Sequence, residues 1–151
     1  MNENEIAQQI VDAALRVHMA LGPGLLESVY QATLAYELEK RGLRVTRQQA
    51  IPVVYEAIRI DTGFHADLVV EDKVIVEIKS VETVAPVHNK QLLSYLKLAD
   101  KRLGLLINFN VVTDQEWHHT YCEPPPGVTS RKDAKAAKTT SQPRNHRNAL
   151  Q

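Results

Sequence analysis

The chain has 151 residues, with 18 Lys+Arg against 18 Asp+Glu and a formal net charge of zero. Its single cysteine, Cys122, excludes a disulfide within the chain and any cysteine-rich metal cluster. No run reaches the ~18 consecutive apolar residues of a membrane span, and the opening "MNENEIAQQI" is too polar for a signal peptide, so a cytoplasmic protein with no membrane partner is expected.

Ile6, Ile10, Ala14, Val17 and Leu21 recur at helical spacing and predict an amphipathic helix over residues 4–20. "LGPG" breaks it. A second helix is expected from Leu25 to Arg41, with Leu26, Val29, Tyr30, Leu34 and Leu38 on one stripe and Gly42 as its stop. "LRVTRQQAIPVVY", "IRIDTGFHADLVV" and "KVIVEIKSV" then change to a β pattern, with turn signals at Glu56-Ala57, Thr62-Gly63 and Glu71-Asp72. Pro86 opens a third helix that runs to Ala99. The apolar run "LGLLINFNV" reads as a buried strand, and "EWHHTYC" as a further edge strand. The order ααβββαβ predicts a mixed sheet flanked by helices, class α/β or α+β, with no internal repeat.

The neutral total hides an asymmetry. Residues 124–151 carry six basic residues against Asp133 alone, whereas residues 1–123 carry 12 basic and 17 acidic residues. Residues 1–123 are therefore expected to be the folded domain. The segment from Pro124 onward is expected to be a basic, disordered tail, able to hold a polyanion or merely solvated.

Chemistry concentrates in the second and third strands. Alternation puts Val74, Val76, Ile78 and Ser80 on one face of the third strand, and Ile75, Glu77 and Lys79 on the other. Both faces are mostly apolar, so the charges of Glu77 and Lys79 need a reason. Mutual neutralisation at a rim is one; a bound metal is another. In the preceding strand, His65, Asp67 and Val69 are expected on one face, opposite Phe64, Ala66, Leu68 and Val70. A two-residue connection, Glu71-Asp72, would set Asp67 against Val76 and point it away from Glu77. A three-residue connection through Lys73 sets Asp67 against Glu77, Val69 against Ile75 and His65 against Lys79, with the two carboxylates ~4.5–5.5 Å apart at their β-carbons. A bulge gives the same result. Two carboxylates so close repel unless a proton or cation intervenes, and an all-oxygen set suits Mg²⁺ or Mn²⁺. Lys79 is then placed to stabilise an attacking hydroxide or a phosphate oxygen. Glu27, at the start of the second helix, is either a third acid over this site or a complement to the helix dipole. Tyr30 is placed to orient Glu27 or to contact a phosphate. In the third helix His88, Gln91 and Tyr95 share a face, with Leu92, Leu93, Leu96 and Ala99 beside it. Gln91 is placed to orient a water near Lys79, whereas Tyr95, His18 and His88 read as structural.

The "D…ExK" set, with nine residues between Asp67 and Glu77 and a following helix that bears Gln91, resembles the PD-(D/E)XK nuclease superfamily. Gly24, Glu27 and Tyr30 resemble, more narrowly, the motif of its GxxExxY family, as do "VHMALGPGLLESVYQ", "ADLVVEDKVIVEIKSV", "QLLSYLKL" and "GLLINFNV"; the resemblance covers residues 5–112. The superfamily's proline is Ala66 here. The resemblance implies a restriction-endonuclease-like core, a divalent metal on Asp67, Glu77 and Glu27, a catalytic Lys79, and Gln91 with Tyr95 as the polar pair of the helix. It implies a metal-dependent nuclease acting on nucleic acid, with DNA as the expected partner. The alternative is a catalytically silent nucleic-acid- or protein-binding module that keeps the fold. Because residues 1–123 are net acidic, the tail, a second copy or partner subunit, or a patch around Arg44, Arg47 and Lys90 would have to supply positive charge.

Overall fold

The computed structural model describes residues 1–112 and 119–123. The basic tail and the first part of "EWHHTYC" lie outside the described residues. Helix α1 spans Glu3–Leu21, α2 Glu27–Lys40 and α3 Pro86–Ala99; the strands are β1 Val45–Tyr55, β2 Ile58–Val70, β3 Val74–Lys79, β4 Leu103–Asn108 and β5 His119–Cys122. They form one five-stranded sheet in the order β1-β2-β3-β4-β5. Only β3 and β4 run parallel, and α3 connects them; the other neighbours are antiparallel. The fold is therefore mixed α/β, with a mixed sheet flanked by helices as the pattern predicts, and β5 is added at the far edge.

The sheet is covered on both faces. Against one face α1 and α2 lay Ile6, Ile10, Ala14, Val17, Tyr30, Leu34 and Leu38 over Leu68, Val70, Val74, Val76, Ile78, Leu105 and Ile107. Against the other, α3 lays Leu92 and Leu96 over Ile51, Ala66, Val69, Ile75 and Leu106. A central strand covered twice must be apolar on both sides, which is why β3 and β4 read as near-continuous apolar runs. Helix α1 starts on a capping box in which Asn2 Oδ1 accepts the Glu5 N–H and a Glu5 carboxylate oxygen accepts the Asn2 N–H. Gly104 brings β4 close under α3, because a β-carbon there would lie 2.9 Å from Leu92 Cδ1. Gly104→Ala is therefore expected to destabilise by ~1–3 kcal/mol, read as a lowered urea midpoint at unchanged m-value.

Four local expectations are corrected. Leu21, Leu26 and Val29 are exposed, so the buried stripe of α2 is Tyr30, Gln31, Leu34, Ala35 and Leu38. The chain before Glu27 turns outward through the "GPG" loop, which takes Leu26 off the helix axis as its N-cap residue. Thr62-Gly63 makes no turn, because β2 runs straight through it and Gly63 lets the Val53 side chain approach. The actual irregularity falls on the edge strand β1, where the register shifts between Ile51 and Val53 around Pro52, a residue with no N–H to give the ladder.

The fourth correction concerns alternation in β2. Phe64 and Ala66 pack with Val69 toward α3, whereas Leu68 and Val70 pack toward α1 and α2. Side chains of one parity thus change faces between Ala66 and Leu68. The β1 ladder is interrupted at the same level: Arg47 pairs with Leu68 and Gln49 with Ala66, while Gln48 between them has φ +50°. A residue in the left-handed region breaks the two-residue period of its own strand, and Asp67 of β2 lies opposite that residue, where the ladder rung is missing.

Candidate active site

The β2–β3 connection settles the register. Leu68 pairs with Val76, Val69 with Ile75 and Val70 with Val74, which leaves Glu71, Asp72 and Lys73 as the connection. This is the three-residue alternative. The backbone ladder ends at Leu68–Val76, so His65 is not set against Lys79; it pairs with Ala50 in β1 instead. Beyond that rung, side chains take over the backbone groups. Ile78 N–H donates to Asp67 Oδ2 at 2.8 Å, and Asp67 N–H donates to Glu77 Oε1 at 3.2 Å. The two carboxylates are thereby wedged between strands that have stopped bonding to each other.

Their environment is poor for two negative charges. Glu77 is 7% exposed. Burial pushes its pKa from 4.5 up to about 8, and the Asp67 charge adds to the rise, while the Asp67 N–H and the Lys79 charge oppose it. Burial likewise raises Asp67, against the pull of the Ile78 N–H and Lys79; the Glu27 charge pushes it further up, and the Gln48 side chain pulls it down. Lys79, two residues beyond Glu77 on the same face of β3, is half-buried. Among the described residues no ion pair within 4.0 Å joins Lys79 to Glu77, so simple neutralisation of one by the other is not what the strand contains. The ammonium acts on both acids through its field.

Glu27 is brought to the same end of β3 and kept apart from the pair. It is exposed at the first position of α2, and its Oε1 accepts the Ser80 N–H at 3.3 Å. Ser80 Oγ donates to the Leu25 carbonyl at 2.8 Å, which docks the loop on the strand end. Glu27, Leu25, Leu26, Ser28 and Ser80 line an open cleft of about 450 Å³. Among the described residues no group of three or more His, Cys, Asp or Glu is drawn together tightly enough to hold a metal. The crowded pair is Asp67 with Glu77, and Glu27 approaches from the rim.

Tyr30, expected either to orient Glu27 or to contact a phosphate, anchors the loop before Glu27. It is fully buried, stacked on Phe109 with ring centroids 4.5 Å apart and planes 6° from parallel. Its hydroxyl accepts the Leu25 N–H at 3.1 Å and donates to the Gly22 carbonyl at 2.5 Å. Tyr30 thus ties down the loop from which α2, and Glu27 with it, departs. Tyr30→Phe is expected to lower stability by ~1–2 kcal/mol through two unpaired backbone groups. Urea unfolding measures that cost, and faster amide exchange at Leu25 would locate it in the loop.

On α3, Tyr95 packs against Phe64 with centroids 4.8 Å apart, and its hydroxyl pKa is raised by burial and then by the charges of Glu77 and Asp67. Tyr95 therefore senses both acids from α3. Gln91 is exposed and makes no hydrogen bond to another described residue. His88 Nδ1 accepts the Ala85 N–H at 3.2 Å, and His18 Nε2 lies 2.9 Å from the Val111 carbonyl oxygen, so both have structural partners. The basic patch does not assemble. Arg44 is held 3.2 Å from Glu71, Arg47 shares the face of its ladder partner Leu68 toward α1 and α2, and Lys90 lies on α3 across the sheet.

Two residues went unread in the sequence: Gln31, 7% exposed on α2, and Gln48 at the break in β1. A polar side chain within the stripe Tyr30, Leu34, Ala35 and Leu38 was the available signal for Gln31. Nothing in the sequence signalled Gln48.

A mixed sheet that places an aspartate, a glutamate and a lysine in a D…ExK arrangement where β2 and β3 part is the architecture of a nuclease-type domain. The chain belongs to the PD-(D/E)XK nuclease superfamily, whose family model matches residues 4–120. Among solved structures, an alkaline exonuclease from Laribacter hongkongensis is similar at 16% identity, with a TM-score of 0.41 over 91% of this chain and 86% of that chain. No curated protein matches the chain. Among the described residues, no helix is long and apolar enough to cross a membrane.

Proposed function

We propose that this chain is a divalent-metal-dependent nuclease that hydrolyses phosphodiester bonds in DNA, of the kind the GxxExxY resemblance suggests. The observation that carries the reading is the Asp67–Glu77 pair, a half-buried and a buried carboxylate forced together beside a lysine that pairs with neither. Such a pair fits a small hard cation by its chemistry: both donors are oxygens, and the charge that makes the metal-free pair unfavourable is what Mg²⁺ or Mn²⁺ would neutralise. Asp67 and Glu77 would hold the ion, and Glu27 would complete its surroundings through water from the rim. When bound, the ion supplies charge neutralisation at the phosphate and acidifies a water molecule.

The protein's own groups supply the rest. The Lys79 ammonium stabilises negative charge on the attacking oxygen or on the phosphate as a compact point charge. Gln91, free on the exposed side of α3, is available to orient the attacking water. Tyr95, packed on Phe64, lies within the field of both acids. The test is cleavage of linear and circular DNA by the purified chain with Mg²⁺, Mn²⁺ or EDTA. Cleavage with either metal and none with EDTA is the expected result.

The second reading is a binding module that retains the fold without catalysis. Two observations favour it: residues 1–123 carry 12 basic against 17 acidic residues, and Glu27 is bonded to Ser80 N–H rather than gathered with the pair. DNA or protein capture with no cleavage under any divalent metal would select it.

A further inference from the structure

We propose that Gln31 and Gln48 are positioning residues that clamp Asp67 at the break in β2, by its backbone carbonyl and its carboxylate together, and so set the geometry of the metal site. The inference rests on the reading of Asp67 and Glu77 as a metal-holding pair.

The break creates the need. Where Gln48 and Asp67 face each other the ladder is interrupted, between the rungs Arg47–Leu68 and Gln49–Ala66. A carbonyl released from a sheet must find another donor or lose its hydrogen bond. Gln31 provides one from the neighbouring helix: its Nε2 donates to the Asp67 carbonyl oxygen at 2.8 Å. A side-chain amide on the buried stripe of a helix is costly unless both ends are satisfied. The other end is satisfied by Gln48, whose Nε2 donates to Gln31 Oε1 at 3.0 Å and also approaches Asp67 Oδ1 at 3.4 Å.

The two amides therefore grip Asp67 twice. Gln31 fixes where its backbone lies, and Gln48 limits how far its carboxylate turns. The Ile78 N–H holds the remaining oxygen, Oδ2. With rotation restricted from both sides, Asp67 presents a fixed oxygen toward Glu77, a precondition for two protein ligands to share one small ion. The left-handed backbone at Gln48 fits this role, because it aims that side chain at Asp67 and Gln31 instead of along the sheet.

Gln48→Gly and Gln31→Leu test the clamp in the full chain. Glycine at φ +50° eases the backbone, which offsets the bond to Gln31 Oε1 lost with the bridging amide, so Gln48→Gly should fold with stability near that of wild type. Leucine keeps Gln31's packing and removes both of its hydrogen bonds. Mn²⁺ affinity is read by calorimetry with the metal alone, and kcat and KM on DNA are read separately. Expected for each variant is a ~10-fold weaker Mn²⁺ Kd and a kcat lowered by about the same factor, with KM unchanged, as for removal of other groups that orient metal ligands. Wild-type Mn²⁺ affinity and kcat in Gln48→Gly would overturn the clamp while leaving the nuclease reading intact. A wild-type chain that neither binds Mn²⁺ nor cuts would overturn both. Should Gln31→Leu fail to fold, Gln48→Gly alone decides.

Discussion

Lys79→Ala is expected to lower metal-dependent DNA cleavage by about 10³-fold, the scale of losing one charged group that faces developing charge in a transition state. The fold should survive. The Lys79 side chain is half-buried and pairs with no described acid within 4.0 Å, while its backbone carbonyl accepts the Phe109 N–H at 2.9 Å whatever the side chain. Removing the ammonium also removes a field that favours ionised Asp67 and Glu77, so the metal-free acids should hold their protons more tightly. Mn²⁺ binding should then become more dependent on pH, because the ligands must lose a proton to bind. Lys79→Arg should recover little, since a planar guanidinium does not replace a compact charge. Cleavage by Lys79→Ala at the wild-type rate would remove Lys79 from the chemistry and point to a contaminating activity.

The second large effect is on stability. In metal-free protein, Glu77→Gln should stabilise the fold by ~2 kcal/mol at pH 8 and by much less at pH 5. The sign follows from the direction of the shift. A carboxyl raised from 4.5 to about 8 binds its proton more tightly folded than unfolded. Its contribution is fully present below 4.5 and is lost as pH rises through about 8, so wild-type stability should fall across that window. Glutamine keeps an acceptor for the Asp67 N–H and cannot ionise. Asp67, raised in the same direction, remains and leaves a smaller slope in the variant. Urea unfolding in EDTA at several pH values measures the difference. With Mn²⁺ the order should reverse, because the ion stabilises wild type by mass action and binds the variant weakly. Equal pH slopes for the two proteins in EDTA would show that the pair is not under the strain its burial implies.

The two effects oppose each other. Burial makes Asp67 and Glu77 unfavourable neighbours without a cation, and the same burial strengthens each interaction once one is bound.

Local signals in the chain determined much of this. Periodicity gave α1 and α3 nearly to their ends, and apolar runs gave β3 and β4 as strands buried on both faces. Parity also narrowed Asp67 and Glu77 to two registers, one of which brings them together. The choice between those registers is tertiary. Glu71 and Asp72 both adopt positive φ, the Glu71 N–H donates to the Arg44 carbonyl at 2.9 Å and the Glu71 carboxylate accepts the Arg44 N–H at 2.6 Å, so contacts with the segment before β1 fix the connection at three residues.

Only the folded chain decided the details of the site. Tyr30 and Glu27 lie three residues apart on one helix, yet one is a buried loop anchor and the other a rim carboxylate, because the Tyr30 ring stacks on Phe109 while the loop and Glu27 dock on Ser80. The face change at Asp67 has no sequence signature either. Alternation is a property of a regular strand, and here the ladder is interrupted where Gln48 of the neighbouring strand is left-handed and a helical amide 36 residues earlier in the chain takes the Asp67 carbonyl. Patterns with a period of two or 3.6 residues report which side of its own element a residue occupies. Where two elements meet, position is set by hydrogen bonds between distant segments, and the acids of this protein lie at such a meeting.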